Sequence, residues 1–295
     1  MGKLRGSDFV SIKDFSPKDL QKIIVFSLDL KKKEKAGEKT KILQGKSLAL
    51  VFEKPSTRTR ISFEVGMYQL WGHAVVLEGA FEREDVKDVA KTLSRYVDGI
   101  VIRTFGHEKV IKLAEAATVP VINGLSDLLH PCQAMADVLT MFEQKGDVSK
   151  LTVAYVGDGN NVCNSLINAA DVFNFKLKLA IPEGYDPKVT SKNASIVRDP
   201  AEAVKGADVV YADVWASMGQ EKEKEKRKKI FAPYQVNAKL MKAAKPDAIF
   251  LHCLPAHRGE EVMPEVIDGP QSKVFDQAEN RLHVQKAILA LLLAA

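Results

Sequence analysis

The stretch that decides the fold is residues 47–70, which read SLALVFEKPSTRTRISFEVGMYQL. The apolar run over 47–52 predicts a buried strand, and Pro55 ends it. Over 61–70 the apolar residues recur with the spacing of a helix. Strand, turn and helix form the unit from which parallel sheets are built, so this stretch predicts an α/β protein.

The turn in this stretch carries a concentration of polar groups. It reads Ser56-Thr57-Arg58-Thr59-Arg60, with three hydroxyls and two guanidiniums. The first backbone N–H groups of a helix have no partner within the helix, and the helix dipole is positive there. Hydroxyls and forked guanidinium donors at such a place suit a phosphate or another compact dianion. A polar helix cap with surface arginines is the alternative, and this run alone leaves it open.

Composition narrows the class of protein. The chain has 295 residues, 46% of them hydrophobic, which is enough for two domains with their own cores. The net charge of +5 is mild and spread out, so it fits an anionic small substrate and does not indicate a nucleic-acid partner. The densest charge run, over 221–229, mixes both signs and predicts a solvated helix face.

The cysteines and the apolar runs indicate the compartment. Cys132, Cys163 and Cys253 are odd in number and lack CxxC spacing, which argues against a disulfide framework and against a zinc site. The sequence shows no signal-peptide pattern and no apolar run of transmembrane length. We therefore expect a cytoplasmic protein with no membrane partner and no bound metal.

Apolar strands alternate with helical patterns along the whole chain. A first helix is predicted over 16–35, where Ser16 and Pro17 suit its start. Strands are predicted at 48–52, 75–78, 99–103 and 120–123 and, after a helix at 131–145, at 151–156, 177–181, 208–213, 248–253 and 273–275. Continuous apolar strands that alternate with helices imply parallel sheets covered on both faces.

The two sets of strands predict two α/β domains, each a parallel sheet flanked by helices, joined by two interdomain helices. The first domain would comprise residues 1–130 together with a C-terminal helix over 280–295. The second would comprise residues 131–279, with 131–145 as the linking helix. Ligands of open parallel sheets bind at the carboxyl ends of the strands, so we expect the polar residues at those ends to converge on one cleft between the domains. They are Ser56 to Arg60, Arg103, Asn160, Asn161, Asp213 and Cys253.

Five segments together resemble the carbamoyltransferase family and, within it, the ornithine branch. In chain order they are Phe52 to Arg60 (FEKPSTRTR), His130 to Gln133 (HPCQ), Asp213 to Gly219 (DVWASMG), His252 to Pro255 (HCLP) and Glu279 to Arg281 (ENR). The similarity covers most of the chain, and all five segments in this order are highly specific. The SMG and HCLP pieces separate the ornithine branch from the aspartate branch.

The resemblance implies carbamoyl transfer from carbamoyl phosphate to the δ-amine of ornithine, which gives citrulline and phosphate. The first domain would bind carbamoyl phosphate, and Arg60 would support the loop without contacting the ligand. The residues implied to bind carbamoyl phosphate are Ser56, Thr57, Arg58, Thr59, Arg103, His130, Gln133, Cys253, Leu254 and Arg281.

The resemblance also implies that the second domain binds ornithine. Asn161 would hold the α-carboxylate, Asp213 the α-ammonium, and Ser217 with Met218 would close over the carbon chain. The residues implied in catalysis are Asp213, Cys253, Arg103 and His130. No single general base is assigned, because the departing phosphate can take the proton.

The assembly implied by the resemblance is a homotrimer or a larger set of trimers, with domain closure on the second substrate and no metal or organic cofactor. One segment departs from the family pattern. Residues 79–84 are shorter than the family loop that reaches a neighbouring subunit's active site, which puts that contribution in doubt. No residue of this loop is assigned to catalysis.

Other interpretations of single residues stay open. His130 before a proline could be a turn residue, Cys253 a buried inert thiol, and Asp213 a turn former at a strand end. The turn over 157–159 weakly suggests a dinucleotide site but lacks the third glycine. Two alternative functions remain, which are the same chemistry on another amine such as putrescine, and a non-catalytic sensor of carbamoyl phosphate or an amino acid.

Overall fold

The computed structural model describes residues 4–217, 219 and 221–294, with the side chain of Glu221 left out. The chain forms two compact units, which are described separately below. Unit 1 comprises Met1–Leu139 with Glu279–Ala295, and unit 2 comprises Thr140–Ala278. The chain therefore passes from one unit to the other at 139/140 and 278/279. The sequence-based division put these boundaries at 130/131 and 279/280, which differ by nine residues and by one.

Unit 1 is built on a four-stranded parallel sheet. Its strands are β1 (Ser47–Phe52), β2 (His73–Glu78), β3 (Gly99–Arg103) and β4 (Val121–Leu125). Its helices are α1 (Pro17–Lys35), α2 (Thr57–Gln69), α3 (Val86–Leu93), α4 (His107–Ala116), the start of α5 (Pro131–Lys145) and most of α11 (Val274–Leu293), with a 3₁₀ turn at Ile12–Asp14. The strand order is β2-β1-β3-β4, so the chain reverses its direction of sheet growth between β1 and β3.

The core of unit 1 explains why β1 forms. Its residues 48–51 are at most 1% exposed. Ala49 and Val51 pack with Ile100 and with buried residues of α3 and α4 on one face of the sheet. Burial of each large aliphatic side chain contributes about 1.5–3 kcal/mol, so the continuous apolar run is what places β1 inside the sheet.

Register places two polar ends side by side in unit 1. Phe52 of β1 lies opposite Arg103 of β3, and the Glu53 N–H donates to the Arg103 carbonyl at 2.9 Å. Ser56 then caps α2, because its Oγ accepts from the Thr59 N–H at 3.2 Å. The anion-type turn and Arg103 therefore flank the point at which the strand order reverses, where open α/β sheets bind their ligands.

Unit 2 is built on a five-stranded parallel sheet of order β7-β6-β5-β8-β9. Its strands are β5 (Thr152–Val156), β6 (Lys176–Ala180), β7 (Ala194–Ile196), β8 (Val209–Ala212) and β9 (Ile249–His252). Its helices are the end of α5, α6 (Asn161–Phe173), α7 (Pro200–Val204), α8 (Lys224–Phe231), α9 (Ala238–Met241), α10 (Pro264–Ile267) and the start of α11, with 3₁₀ turns at Val148–Lys150, Glu221–Glu223 and Ala232–Tyr234.

Three neighbouring strands of unit 2 end at the same level. Val156 of β5 pairs with Ala212 of β8, and Ala212 pairs with His252 of β9. The next residue of β8 is Asp213 and the next of β9 is Cys253. Register therefore brings the residues after β5, β8 and β9 together, and the strand order again reverses between β5 and β8.

The predicted fold class is confirmed, and two details of it were wrong. Residues 273–275 are not a strand, because α11 already begins at Val274. A single parallel bridge between Ser272 and Phe250 is the part of the expected pairing that forms. The strand Ala194–Ile196 was not foreseen, since it is a three-residue edge strand with two exposed positions and no continuous apolar run. Among the described helices, none combines the length and apolar character needed to cross a membrane.

The charge run over 221–229 also differs from its prediction in one residue. Most of the run lies in α8. Over 222–229 every side chain is exposed or half-buried except that of Arg227, which is only 6% exposed. Arg227 pairs with Glu223, four residues earlier, at 3.1 Å, and its guanidinium also reaches Asp158 at 2.9 Å. A buried acidic partner outside the run explains why this side chain leaves the solvated face.

Candidate active site

The first candidate half-site is the start of α2 in unit 1. Thr59 is buried, and its hydroxyl oxygen lies 3.3 Å from Arg103 Nη1 and 3.2 Å from Arg281 Nη2. One threonine thus gathers guanidiniums from the end of β3 and from α11. Ser56 and Arg58 beside it are half-buried, and Thr57 is exposed.

Arg281 connects this helix start to α5. It is 2% exposed, and its Nη1 donates to Gln133 Oε1 at 2.8 Å and lies 3.5 Å from His130 Nε2. Gln133 in turn donates from Nε2 to Asp137 Oδ1 at 2.8 Å, which fixes the amide so that its oxygen faces Arg281. The structure therefore brings Thr59, Arg103, His130, Gln133 and Arg281 into one group. The family resemblance assigns these five residues to carbamoyl phosphate.

His130 is held neutral in this group. Burial first, and then the charges of Arg281, Arg103 and Arg58, keep the pKa of its imidazole well below the ordinary value. Three guanidiniums thus disfavour protonation of one buried imidazole. A region of this charge suits a dianion, and a neutral imidazole beside it can hydrogen-bond to a carbonyl without being a cation itself.

A second contact ties α11 to the second turn of α2. Gln285, one helical turn after Arg281, accepts a hydrogen bond from Ser62 Oγ at 2.6 Å through its Oε1. Both residues are buried. The first two turns of α2 are therefore held by two side chains of α11, which helps to explain why most of α11 belongs to unit 1 although its first residues belong to unit 2.

The loop around the half-site is held by ion pairs on its outer side. Arg60, predicted to support the loop, lies 3.2 Å from Glu78 and 3.5 Å from Glu64. The short segment over 79–84 places Ala80 and Phe81 against the core of unit 1. Its location gives no reason to assign it a catalytic residue.

The second candidate half-site surrounds Asp213 in unit 2. Asp213 is 4% exposed, and its Oδ2 accepts from Asn160 Nδ2 at 2.7 Å. Its Oδ1 accepts from the Val214 N–H at 2.8 Å and from Cys253 Sγ at 3.0 Å. Asp213 and Cys253 are therefore brought together as expected from the strand ends.

Asn160 is a residue whose role sequence reasoning underestimated. Its Oδ1 caps α6 by accepting from the Val162 and Cys163 N–H groups at 3.0 and 3.1 Å. With the oxygen engaged in this way, the amide NH₂ is left to point at Asp213. The N-cap preference of asparagine was a signal that could have found this residue.

The remaining predicted ornithine residues lie near these ends. Asn161 is the first residue of α6 and is half-buried, as is Ser217 after β8. Met218 lies outside the described residues. Leu254 follows Cys253 and has a left-handed φ of 57°. Both residues belong to unit 2, as Asp213 does, whereas the other residues predicted to bind carbamoyl phosphate belong to unit 1.

Arg227 is a residue that the sequence analysis did not assign to the site. Its Nη1 donates to the Trp215 carbonyl and to Asp158 Oδ2, both at 2.9 Å. Asp158 lies in the turn after β5, and Trp215 lies two residues before Ser217. Burial raises the pKa of the Asp158 carboxyl to about 6, against the lowering effect of Arg227. The guanidinium therefore joins the segments that follow β5 and β8.

Ligand-type atoms also gather around β9, and their bonds decide whether they could hold a metal. Asp213, His252 and Cys253 bring one such atom each within 4.8 Å of one another. However, His252 Nδ1 accepts from the Leu254 N–H at 2.9 Å, and Nε2 lies 3.2 Å from Glu261 Oε1. Both ring nitrogens are engaged, so this group is a hydrogen-bonded cluster and not a prepared metal site.

Comparison with known proteins covers both units. Residues 7–143 match the carbamoyl-P binding domain of aspartate/ornithine carbamoyltransferase, and residues 149–292 match the Asp/Orn binding domain of the same family.

Several known proteins are similar to this chain over nearly its whole length and nearly the whole of their own. The ornithine carbamoyltransferase of Thermococcus kodakarensis is 53% identical, over 98% of this chain and 97% of that protein. The solved structure of the ornithine carbamoyltransferase from Pyrococcus furiosus is 50% identical and superposes with a TM-score of 0.96 over 99% of both chains. That of the enzyme from Thermus thermophilus is 47% identical, with a TM-score of 0.88 over 97% of this chain and 98% of that one. With this similarity along both units, the chain belongs to the aspartate/ornithine carbamoyltransferase family.

Proposed function

We propose that this chain transfers the carbamoyl group of carbamoyl phosphate to the δ-amine of L-ornithine, giving L-citrulline and phosphate. The observation that carries the proposal is the buried Asp213 carboxylate, bonded to Asn160 and Cys253, in a chain that also carries an arginine-rich helix start. The first group suits an amino-acid ammonium, and the second suits a phosphate. Relatives about half identical over their whole length are ornithine carbamoyltransferases.

Carbamoyl phosphate is assigned to unit 1. Ser56, Thr57, Arg58 and Thr59 bind the phosphate at the start of α2, and Arg103 is a further guanidinium donor. The support is the convergence of Arg103 and Arg281 on the Thr59 hydroxyl. His130, Gln133 and Arg281 contact the carbamoyl oxygen and amide, in keeping with their mutual bonds.

Ornithine is assigned to unit 2. Asn161 binds the α-carboxylate, Asp213 binds the α-ammonium, and Ser217 with Met218 covers the carbon chain. Cys253 and the Leu254 backbone meet the δ-amine beside the carbamoyl group. The support is the position of Asp213 and Cys253 at adjoining strand ends, 3.0 Å apart at their polar atoms.

The chemistry needs a neutral amine and a polarised carbonyl. The δ-nitrogen lone pair forms a bond to the carbamoyl carbon, and negative charge develops on the carbamoyl oxygen. Donors from His130 and Arg281 stabilise that oxygen, a contribution for which one lost donor costs about 3–4 kcal/mol in another acyl-transfer enzyme. The bond from carbon to the phosphate oxygen then breaks, and the phosphate carries away the proton from the nitrogen. The reaction itself requires the two bound substrates to meet.

The finer assignments follow from the same family membership. We place the reaction in the cytoplasm, in arginine biosynthesis or, as the reverse phosphorolysis of citrulline by the same residues, in arginine catabolism. The assembly is a homotrimer or a set of trimers. No metal or organic cofactor is part of the proposed reaction.

A panel of amine acceptors tests the proposal. Purified protein is given carbamoyl phosphate with ornithine, putrescine or aspartate, and the carbamoylated product is measured. We expect turnover with ornithine alone, because Asp213 and Asn161 need an α-ammonium and an α-carboxylate. Turnover with putrescine would overturn the ornithine assignments, and binding of carbamoyl phosphate without turnover on any acceptor would favour the sensor interpretation.

A further inference from the structure

His252 is a buried residue that the proposed reaction does not use. It is the last residue of β9 and is 0% exposed. Its Nδ1 accepts a hydrogen bond from the Leu254 N–H at 2.9 Å, and its Nε2 lies 3.2 Å from Glu261 Oε1. The backbone N–H of His252 donates to Gln277 Oε1 at 2.9 Å. Both ring nitrogens and the backbone N–H of His252 thus have identified partners.

These bonds determine which ring nitrogen carries the proton. Nδ1 accepts, so it holds a lone pair, and Nε2 must carry the hydrogen that it donates to Glu261. Burial would raise the pKa of Glu261, but the hydrogen bonds from His252 and the His257 N–H outweigh it and hold that pKa below its ordinary value. The other oxygen, Oε2, lies 3.6 Å from His257 Nδ1. An ionised Glu261 therefore keeps the His252 ring in one tautomer and one orientation.

The backbone whose N–H donates to His252 Nδ1 is strained. Leu254 has a φ of 57°, a left-handed conformation that is unfavourable for a residue with a side chain. A side chain that accepts the N–H two residues further on has the connectivity of an Asx turn, which stabilises chain reversals. His252 supplies that acceptor with a ring nitrogen, so it favours the conformation that Leu254 would otherwise avoid.

The corner held in this way carries the thiol next to Asp213. Cys253 Sγ donates to Asp213 Oδ1 at 3.0 Å. We propose that His252 is a positioning residue, which through Nδ1 holds the Cys253–Leu254 corner in the geometry for carbamoyl transfer, with Glu261 setting its tautomer. The effect on turnover rests on the function proposed above, whereas the effect on the thiol does not.

Replacements that differ in one acceptor test the proposal. His252→Asn keeps an oxygen able to accept the Leu254 N–H in an Asx turn, whereas His252→Leu fills the space without an acceptor. We expect His252→Leu to lower kcat by about 10- to 100-fold, because a displaced catalytic group commonly loses that much. His252→Asn should stay within about 3-fold of the parent, a difference of about 0.6 kcal/mol.

Alkylation of the thiols gives a readout that does not depend on turnover. Cys253 is half-exposed, while Cys132 and Cys163 are fully buried and serve as internal reporters of an intact fold. The rate at Cys253, located by mass spectrometry, should rise several-fold in His252→Leu and remain at the parent rate in His252→Asn. Cys132 and Cys163 should stay unreacted in both variants.

Each outcome decides the matter. Equal kcat and equal Cys253 reactivity in the Asn and Leu variants, with the buried cysteines unreacted, would overturn the proposal. If Cys132 or Cys163 reacts in His252→Leu, that variant is misfolded and His252→Gln takes its place in the comparison. The kcat of His252→Asn must then exceed that of His252→Gln, or the proposal fails. If the parent itself forms no citrulline, the proposed function is wrong, and the alkylation rates alone decide the role of His252.

Discussion

Asp158→Asn is the substitution whose effect can be worked out most fully from the structure. The Asp158 carboxyl is 8% exposed and lies 2.9 Å from Arg227. Burial raises its pKa from 3.8 to about 6 even with the guanidinium present. Desolvation of the carboxylate therefore outweighs the attraction of the ion pair, as is common for buried pairs.

The sign and the size of the effect follow from this shift. Because the folded-state pKa lies above the unfolded value, the folded protein binds the proton more tightly, and the stability from this group falls as pH rises from 3.8 to 6. The shift of 6 − 3.8 = 2.2 corresponds to about 3 kcal/mol over the whole range, at 1.36 kcal/mol for each pKa unit. Between pH 4.5 and 7.5 the change is about 2 kcal/mol.

The assay is chemical unfolding of the parent and of Asp158→Asn across that pH range. Asparagine keeps the shape and cannot titrate, so the free energy of unfolding of Asp158→Asn relative to the parent should rise by about 2 kcal/mol between pH 4.5 and 7.5. Asp186→Asn is the matched control, because Asp186 pairs with Arg198 at the surface and that hydrogen bond lowers its pKa. The control difference should be flat over this range, since its titration lies below pH 3.8.

A flat difference for Asp158→Asn would refute the reasoning. It would mean that the Arg227 pair holds the carboxyl ionised at least as easily as water does. A net stabilising ion pair would also give a flat difference here, because, as for Asp186, the carboxyl would then titrate below this pH range.

Three further outcomes are expected. Arg227→Lys cannot hold Asp158 and the Trp215 carbonyl together, so the KM for ornithine should rise by about 10-fold while the calorimetric Kd for carbamoyl phosphate stays unchanged; equal losses in both would contradict a role confined to unit 2. Gly159→Ala places a methyl group against the backbone of 185–187 and should lower Tm by several degrees. Gly106→Ala is the control and should leave Tm unchanged, because nothing lies within 4 Å of its added methyl group; equal Tm values for the two variants would disprove the close approach at Gly159. Thr59→Val removes the acceptor shared by two guanidiniums and should weaken carbamoyl-phosphate binding by about 10- to 100-fold in calorimetry, and unchanged binding would remove Thr59 from the site.

The sequence was sufficient where the chemistry lies at the end of an apolar strand. Continuous apolar runs that alternate with helical patterns placed β1, β3, β8 and β9, and parallel sheets align their carboxyl ends. Arg103 therefore had to lie near the turn after Phe52, and Asp213 near Cys253. These relations need no knowledge of side-chain packing, so they could be predicted.

Side-chain partners between distant segments could not be predicted in the same way. Glu223–Arg227 was visible as an i,i+4 pair, but Asp158 lies 69 residues away from Arg227. No periodic pattern encodes that choice, which depends on how α8 packs. The Nδ1 bond of His252 is hidden for another reason, because a buried histidine at a strand end carries no signal of its tautomer.

The most direct test of the account follows the transferred group itself. Parent protein is supplied with carbamoyl phosphate labelled with ¹³C at its carbonyl carbon and ornithine labelled with ¹⁵N at the δ-nitrogen, and the product is observed by NMR. The account predicts a ¹³C signal split by a directly bonded ¹⁵N, together with one phosphate released for each bond formed. A ¹³C product without that coupling, or phosphate released without any carbon–nitrogen bond, would contradict it.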